Sequence, residues 1–189
     1  MTIHRMLAML AALGLAGCSS LLPTAGVTTR SPWHSYEAAR EAFGRIEPGQ
    51  TQREQLHEMG FDPAKTPNIT LMNHLDVTKL FVPNESVRMT DLPADVQSCL
   101  QAKNDCHGYA VITGYLFRER YGNAFLDVFN FRRKTTTTGW QFQGWIIMNN
   151  GLVIYKLEGG KPNIEEFEDK KNPLGPLQDI SLPATILVE

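Results

Sequence analysis

The chain has 189 residues and a formal net charge of −2, with 42% hydrophobic and 20% charged residues. That balance is ordinary for a globular protein and removes the electrostatic case for a nucleic-acid partner. The part after residue 17 is long enough for one domain with a real core.

The first element is a targeting segment. Arg5, with His4 beside it, forms a short positive region, and residues 6–16 are an apolar run. At ~1.5 Å rise per residue that run is too short to span a ~30 Å hydrocarbon core. Small residues Ala16 and Gly17 then precede Cys18, the order expected where a signal peptidase cuts. The tetrapeptide "LAGC" (Leu15–Cys18) resembles the lipobox of bacterial lipoproteins. The resemblance implies a signal peptide over 1–17, a Cys18 that carries palmitate-type acyl chains, and a mature protein that starts there. An ordinary secreted chain with a chance cysteine is the competing reading. Ser19 rather than Asp follows, which in that family implies outer-membrane sorting. The expected location is therefore the periplasmic face of the outer membrane, held by lipid. Residues 18–31, small, polar and proline-containing, read as a flexible tether, and 32–189 as one domain with a C-terminal extension.

Two helices open that domain. Ser31 is placed to cap the first, with Pro32 at its first position and Trp33, Tyr36, Ala39, Phe43 and Ile46 along one face. "EPGQ" breaks it. Thr51 and Glu54 in "TQRE" have capping-box spacing for the second, and Gly60 sits where a helix ends. Residues 61–90 read as a short strand followed by a helix after Asn73, and Asp91 as the cap of a third helix in "LPADVQSCLQAK". Cys99 and Cys106 bracket its end. In an exported chain such a pair is expected to form a disulfide; a metal site with His107 as third ligand is the weaker alternative, and no metal or other cofactor is expected.

From Gly108 the pattern changes to strands: "YAVITGYLFRER", "AFLDVFNFRRKT", "GWQFQGWIIMN" and "LVIYKLEG", rich in aromatic and β-branched residues and joined by short breaks. Asn150-Gly151 is the strongest hairpin signal. The expected fold is α+β: two N-terminal helices packed on a four-stranded antiparallel meander, with an inserted helical segment. Tyr115, Phe117, Phe129, Phe131, Trp140, Phe142, Ile146, Met148, Val153, Tyr155 and Leu157 are expected on the core face. The other face carries Arg118, Asn130, Arg132, Gln141, Gln143 and Lys156, but also Leu126, Val128, Trp145, Ile147 and Ile154. It is too apolar for a solvated face, so either residues 61–105 or a partner covers it. After Gly159-Gly160 a charged, proline-bearing tail is expected to wrap the surface.

Catalytic motifs are not apparent. No Gly-x-Ser-x-Gly elbow, phosphate loop or His-Glu-x-x-His helix occurs. His34, His57, His74 and His107 are scattered; His74 and Asp76 make part of a site only if His57 or Asp62 comes close. "EEFEDKK" reads as a solvated charge run, and the basic group Arg118, Arg120, Arg132, Arg133 and Lys134 as edge protection. The partner-binding candidates are Trp145, Ile147, Val128, Arg132 and Lys156, since aromatic and arginine anchors dominate interfaces. The opposing reading is that the insertion buries Trp145.

Two opening helices through "FGRIEPGQTQREQLHEMGF" and a final hairpin "WIIMNNGLVIYK" resemble the SmpA/OmlA (BamE-type) family of small outer-membrane lipoproteins. The resemblance covers about half of the chain after Cys18. Residues 61–108 form an insertion that the compact family lacks. It implies a non-enzymatic accessory in outer-membrane protein assembly or envelope integrity, with an envelope protein as partner. A β-lactamase-inhibitor-like module binding a protein or ligand in the periplasm is the alternative, because that fold shares the layout.

Overall fold

The computed structural model describes residues 22–179. The signal peptide expected over residues 1–17 and the acylation expected at Cys18 lie outside them. Among the described residues the chain is α+β, with five short α-helices and an antiparallel five-stranded sheet: α1 Tyr36–Gly44, α2 Arg53–Glu58, α3 His74–Phe81, α4 Ala94–Ala102 and α5 Ala124–Val128, with β1 Thr24–Thr28, β2 Ile69–Met72, β3 Cys106–Tyr121, β4 Arg132–Asn149 and β5 Leu152–Lys171. The sheet runs β1-β3-β4-β5, and β2 also pairs with β3. In that last pair Ile69 faces Val111 and Met72 faces Gly108. The described chain groups into two compact units. One holds Val27–Leu116 and Gly139–Ile164, the other 22–26, Phe117–Thr138 and 165–179.

The larger unit contains the core. Ala39, Ala42 and Phe43 of α1, Leu56 of α2 and Phe61 share one buried cluster with Val111, Phe142, Ile146, Met148 and Val153. Phe43 meets Phe61 and Phe142 at ring-centroid distances of 6.1 and 5.5 Å, both edge-on. A Cβ at Gly144 would lie 2.6 Å from the Phe43 ring, so the missing side chain is what lets α1 sit on β4. The other face of β4 has its own cluster: Ile147 is fully buried with Val77 of α3 and Val96, Cys99 and Leu100 of α4. Alternation along a strand sends Ile146 and Ile147 to opposite faces. The inserted segment thus covers the side that the sequence left either to it or to a partner. The Cys99–Cys106 disulfide forms, tying α4 to the first residue of β3.

Several local expectations shift for identifiable reasons. Helix α1 is capped by Ser35, whose hydroxyl accepts from Ala38 N at 3.1 Å. Ser31 instead hydrogen-bonds Trp33, which is buried against Phe61. At α2 the cap is Gln52, whose N–H donates to Gln55 Oε1 at 2.8 Å. Thr51 Oγ1 accepts from Glu47 N instead, because the Thr51 carbonyl is bound to Val153 N on β5. Gly60 ends α2 as expected: its N–H reaches His57 O and that of Phe61 reaches Leu56 O. The strand and helix around Asn73 form, with Asn73 and Asp76 as reciprocal caps. Asp91 closes a short 3-10 turn by accepting from Arg88 N, and α4 starts only beyond Pro93, since Leu92 before the proline is extended.

The four-stranded meander differs most. "AFLDVFNFRRKT" is helix α5 followed by the start of β4. Asn123 Oδ1 accepts from Phe125 N and Leu126 N, and this cap outweighs the β-propensity of the aromatics. Phe129 and Phe131 therefore leave the expected core face and stand exposed, as does Tyr115. The break expected at the threonines before Gly139 and the strand end expected at Gly159-Gly160 do not occur, since β4 and β5 run through them. A Cβ at Gly139 would lie 2.0 Å from Tyr115 O, and one at Gly160 2.2 Å from Gln141 O; both have positive φ, so glycine lets the neighbouring strand pass. The expected tail is the outer part of β5, with Lys161-Pro162 and its acidic residues supplying edge protection. The expected tether is likewise structured from Leu22, because β1 pairs with β3. Asn150 and Gly151, with φ of 48° and 83°, make the hairpin turn as read.

Replacing both Cys99 and Cys106 by Ser is expected to lower unfolding stability by about 2–3 kcal/mol, through the loop entropy released in the unfolded chain. Denaturant titration of the wild type with and without reductant checks this.

Candidate functional site

In the larger unit, β2, the start of α3, the α4–β3 connection and the start of β3 enclose a groove of about 610 Å³. Leu71 and Met72 form an apolar side, with Leu71 66% exposed. Arg53, His74, Lys103, Asn104 and His107 supply the polar part. Each arrives by a local device. Hydrogen bonding of Arg53 N to Gly151 O fixes the base of α2 on the Asn150-Gly151 turn. The disulfide fixes Cys106 and therefore His107. A Cβ at Gly108 would lie 2.6 Å from Ile146 O, which lets β3 approach β4 there.

Arg53 Nη2 contacts His107 Nε2, and His107 Nδ1 lies 3.0 Å from Asp105 O. The two contacts suit a neutral ring that donates from Nδ1 and accepts at Nε2. Burial first, and then the Arg53 charge, hold the His107 pKa below its ordinary value. Outside the groove, His57 Nε2 lies 3.3 Å from Tyr109 Oη, with the rings stacked. Burial pushes the Tyr109 hydroxyl up. Asp76 is committed to capping α3. Asp62 accepts from Ala64 N at 2.9 Å, and this bond, with Lys65 beside it, holds its carboxyl below the usual range. His57 lies near enough to Asp62 for its charge to add to that lowering, while Asp76 caps α3 and His74 lines the groove. The described residues contain no group of three or more potential metal ligands of the His, Cys, Asp and Glu types.

The expected partner-binding residues are divided between the two units. Ile147 is fully buried under the inserted segment and offers no contact area, which corrects its place among the partner-binding candidates. Trp145 is half-buried on β4. Lys156 Nζ donates to Phe43 O, Gly44 O and Ile46 O at 3.1, 3.0 and 2.6 Å, so its charge closes the C-terminal end of α1. Val128 and Arg132 belong to the smaller unit. Val128 is 71% exposed on α5. Arg132 grips Asp169 with two hydrogen bonds of 2.9 and 2.6 Å, holding that carboxyl below its usual range. Of the acidic residues in the run read as a solvated tail, Asp169 thus has a fixed partner.

Sequence reasoning missed two arrangements. One is the Arg53–His107 contact, which joins residues far apart in the chain and leaves no local signal. The other is buried Asp127 of α5, paired with Arg120 at 3.1 Å and Arg133 at 3.8 Å. Two arginine-bearing stretches flanking "NAFLDVFNF" were its only trace. Comparison with family models, characterised proteins and solved structures returns no match, so the family resemblance rests on the residues that carry it.

Two outcomes are expected. Lys156→Met leaves three carbonyls without their ammonium and should cost about 1–2 kcal/mol in denaturant unfolding. His107 titrates lower in the folded than in the unfolded protein, so its contribution to stability is complete above the unfolded value of about 6.5 and is lost as pH falls toward the folded one. Arg53→Gln should move the His107 NMR titration upward and shrink that acid-side loss.

Proposed function

We propose that the chain is an outer-membrane lipoprotein, anchored through Cys18 and facing the periplasm. It acts by binding, as a non-enzymatic accessory to envelope or outer-membrane protein assembly. The observation that carries this reading is "LAGC" placed directly ahead of the folded body, whose described part begins at Leu22. The opening helices α1 and α2 and the Asn150-Gly151 hairpin are read as the SmpA/OmlA (BamE-type) arrangement, with β2, α3 and α4 inserted between them.

The groove at Leu71 and His107 is the surface assigned to the partner. Its apolar side and its Arg53 and Lys103 charges suit an extended segment of an envelope protein with apolar and acidic side chains. Trp145 remains a second contact on the same unit, half-buried and without a place in either core cluster. The periplasmic inhibitor-like alternative shares the groove but needs no acylated cysteine.

Mass spectrometry of the N-terminal peptide from envelope-purified protein should show Cys18 with acyl chains; a free thiol there overturns the anchor. A photo-crosslinker at Leu71 should capture a defined envelope protein, and Lys103→Glu should reduce that product several-fold. Equal capture from a crosslinker at exposed Val27 removes the groove assignment.

A further inference from the structure

The smaller unit carries an apolar surface out of proportion to its core. Phe125, Val128, Leu174 and Leu177 are 63%, 71%, 62% and 65% exposed, and Phe129 and Phe131 stand out beside them. Three contacts tie the elements that bear these side chains together. Rings of Phe125 and Phe129 lie 4.5 Å apart. Asn172 N donates to Phe131 O at 2.8 Å, and a Cβ on Gly175 would lie 2.8 Å from the Phe131 ring and 3.1 Å from Phe129 O. The turn that bears Leu174 and Leu177 therefore rests on the exit of α5. That exit is held by several bonds: Asn130 N reaches Asp127 O, Phe131 N reaches Leu126 O, and buried Asp127 pairs with Arg120 and Arg133.

The anchor enters the same unit. Residues 19–21 alone separate Cys18 from buried Leu22. A chain reaches about 3.5 Å per residue, so an acylated Cys18 stands within roughly 14 Å of Leu22. Pro23, Thr24 and Ala25 then line a groove with Arg120 and Arg133, the two arginines that hold Asp127 of α5.

We propose that the Phe125–Phe131 exit of α5, with Leu174 and Leu177, is a second membrane contact that sinks into the headgroup–acyl boundary of the leaflet holding the Cys18 lipid. This rests on the lipid-anchor reading. Aromatic and branched side chains on a turn held in this way suit that depth, and each apolar group buried there adds to an anchor whose individual acyl chains bind reversibly.

The test uses full-length acylated protein in phosphatidylcholine vesicles, with a nitroxide at Val128→Cys, and in a second variant at Leu177→Cys. A label at Leu71→Cys in the larger unit is the control. Power saturation should show the Val128 and Leu177 labels several-fold less accessible to a water-soluble nickel chelate than the control, and more accessible to oxygen. Phe125→Ser with Phe129→Ser should return them to water. Labels as exposed to nickel as the control, on protein whose N-terminal peptide is acylated, overturn the contact and leave the anchor standing. An unacylated peptide overturns both. Shielding from both relaxants in detergent means that residues 180–189 cover the patch, and dipolar broadening there means a second copy does; either overturns the proposal.

Discussion

The larger unit depends on the seat of Phe43 over Gly144. With no side chain at 144, the ring drops onto β4 and meets Phe61 and Phe142 edge-on. Any larger residue there drives into a ring that is 1% exposed and has nowhere to go. The position of α1 sets the rest. Its last carbonyls fall within reach of Lys156, and the chain leaving it turns back through Thr51, which β5 binds at Val153. That turn starts α2, and α2 carries Arg53 to His107. A packing contact in the core thus places a polar contact at the surface groove.

The second face of the sheet is organised by the insertion. Ile147 provides the apolar centre, α3 and α4 close over it, and the disulfide joins the end of α4 to the strand that starts beside it. Its link spans only residues 99–106, so its stabilising effect is modest. Its geometric effect is larger: it fixes where β3 begins, and the groove is lined by the residues on either side of that point.

The smaller unit is built differently. At its centre lies a carboxylate held by two arginines, and most of its large apolar side chains face outward. Burial of Asp127 without Arg120 and Arg133 would leave a desolvated charge, so the pairing specifies the turn of α5 more than it adds net stability. Apolar area not spent on a core is available for contact, and the described chain begins in this unit, at Leu22.

What was legible in the sequence was whatever a few adjacent residues decide. Asn73 with Asp76, Gly60 at the end of α2 and Asn150-Gly151 at the hairpin act through their own backbone, and each does what its local chemistry dictates. The Cys99–Cys106 link also followed from spacing. Competition between signals obscured the rest. "AFLDV" has the composition of a strand and the cap of a helix, and Gly160 looks like a strand end although it lets the neighbouring strand pass. The resemblance of "LAGC" to a lipobox rests wholly on the sequence. The burial of Ile147, the commitment of Lys156 to α1, the Arg53–His107 contact and the exposure of the α5 aromatics were decided only in three dimensions. Each depends on which distant segment reaches a side chain first, and hydrophobic periodicity carries no information about that.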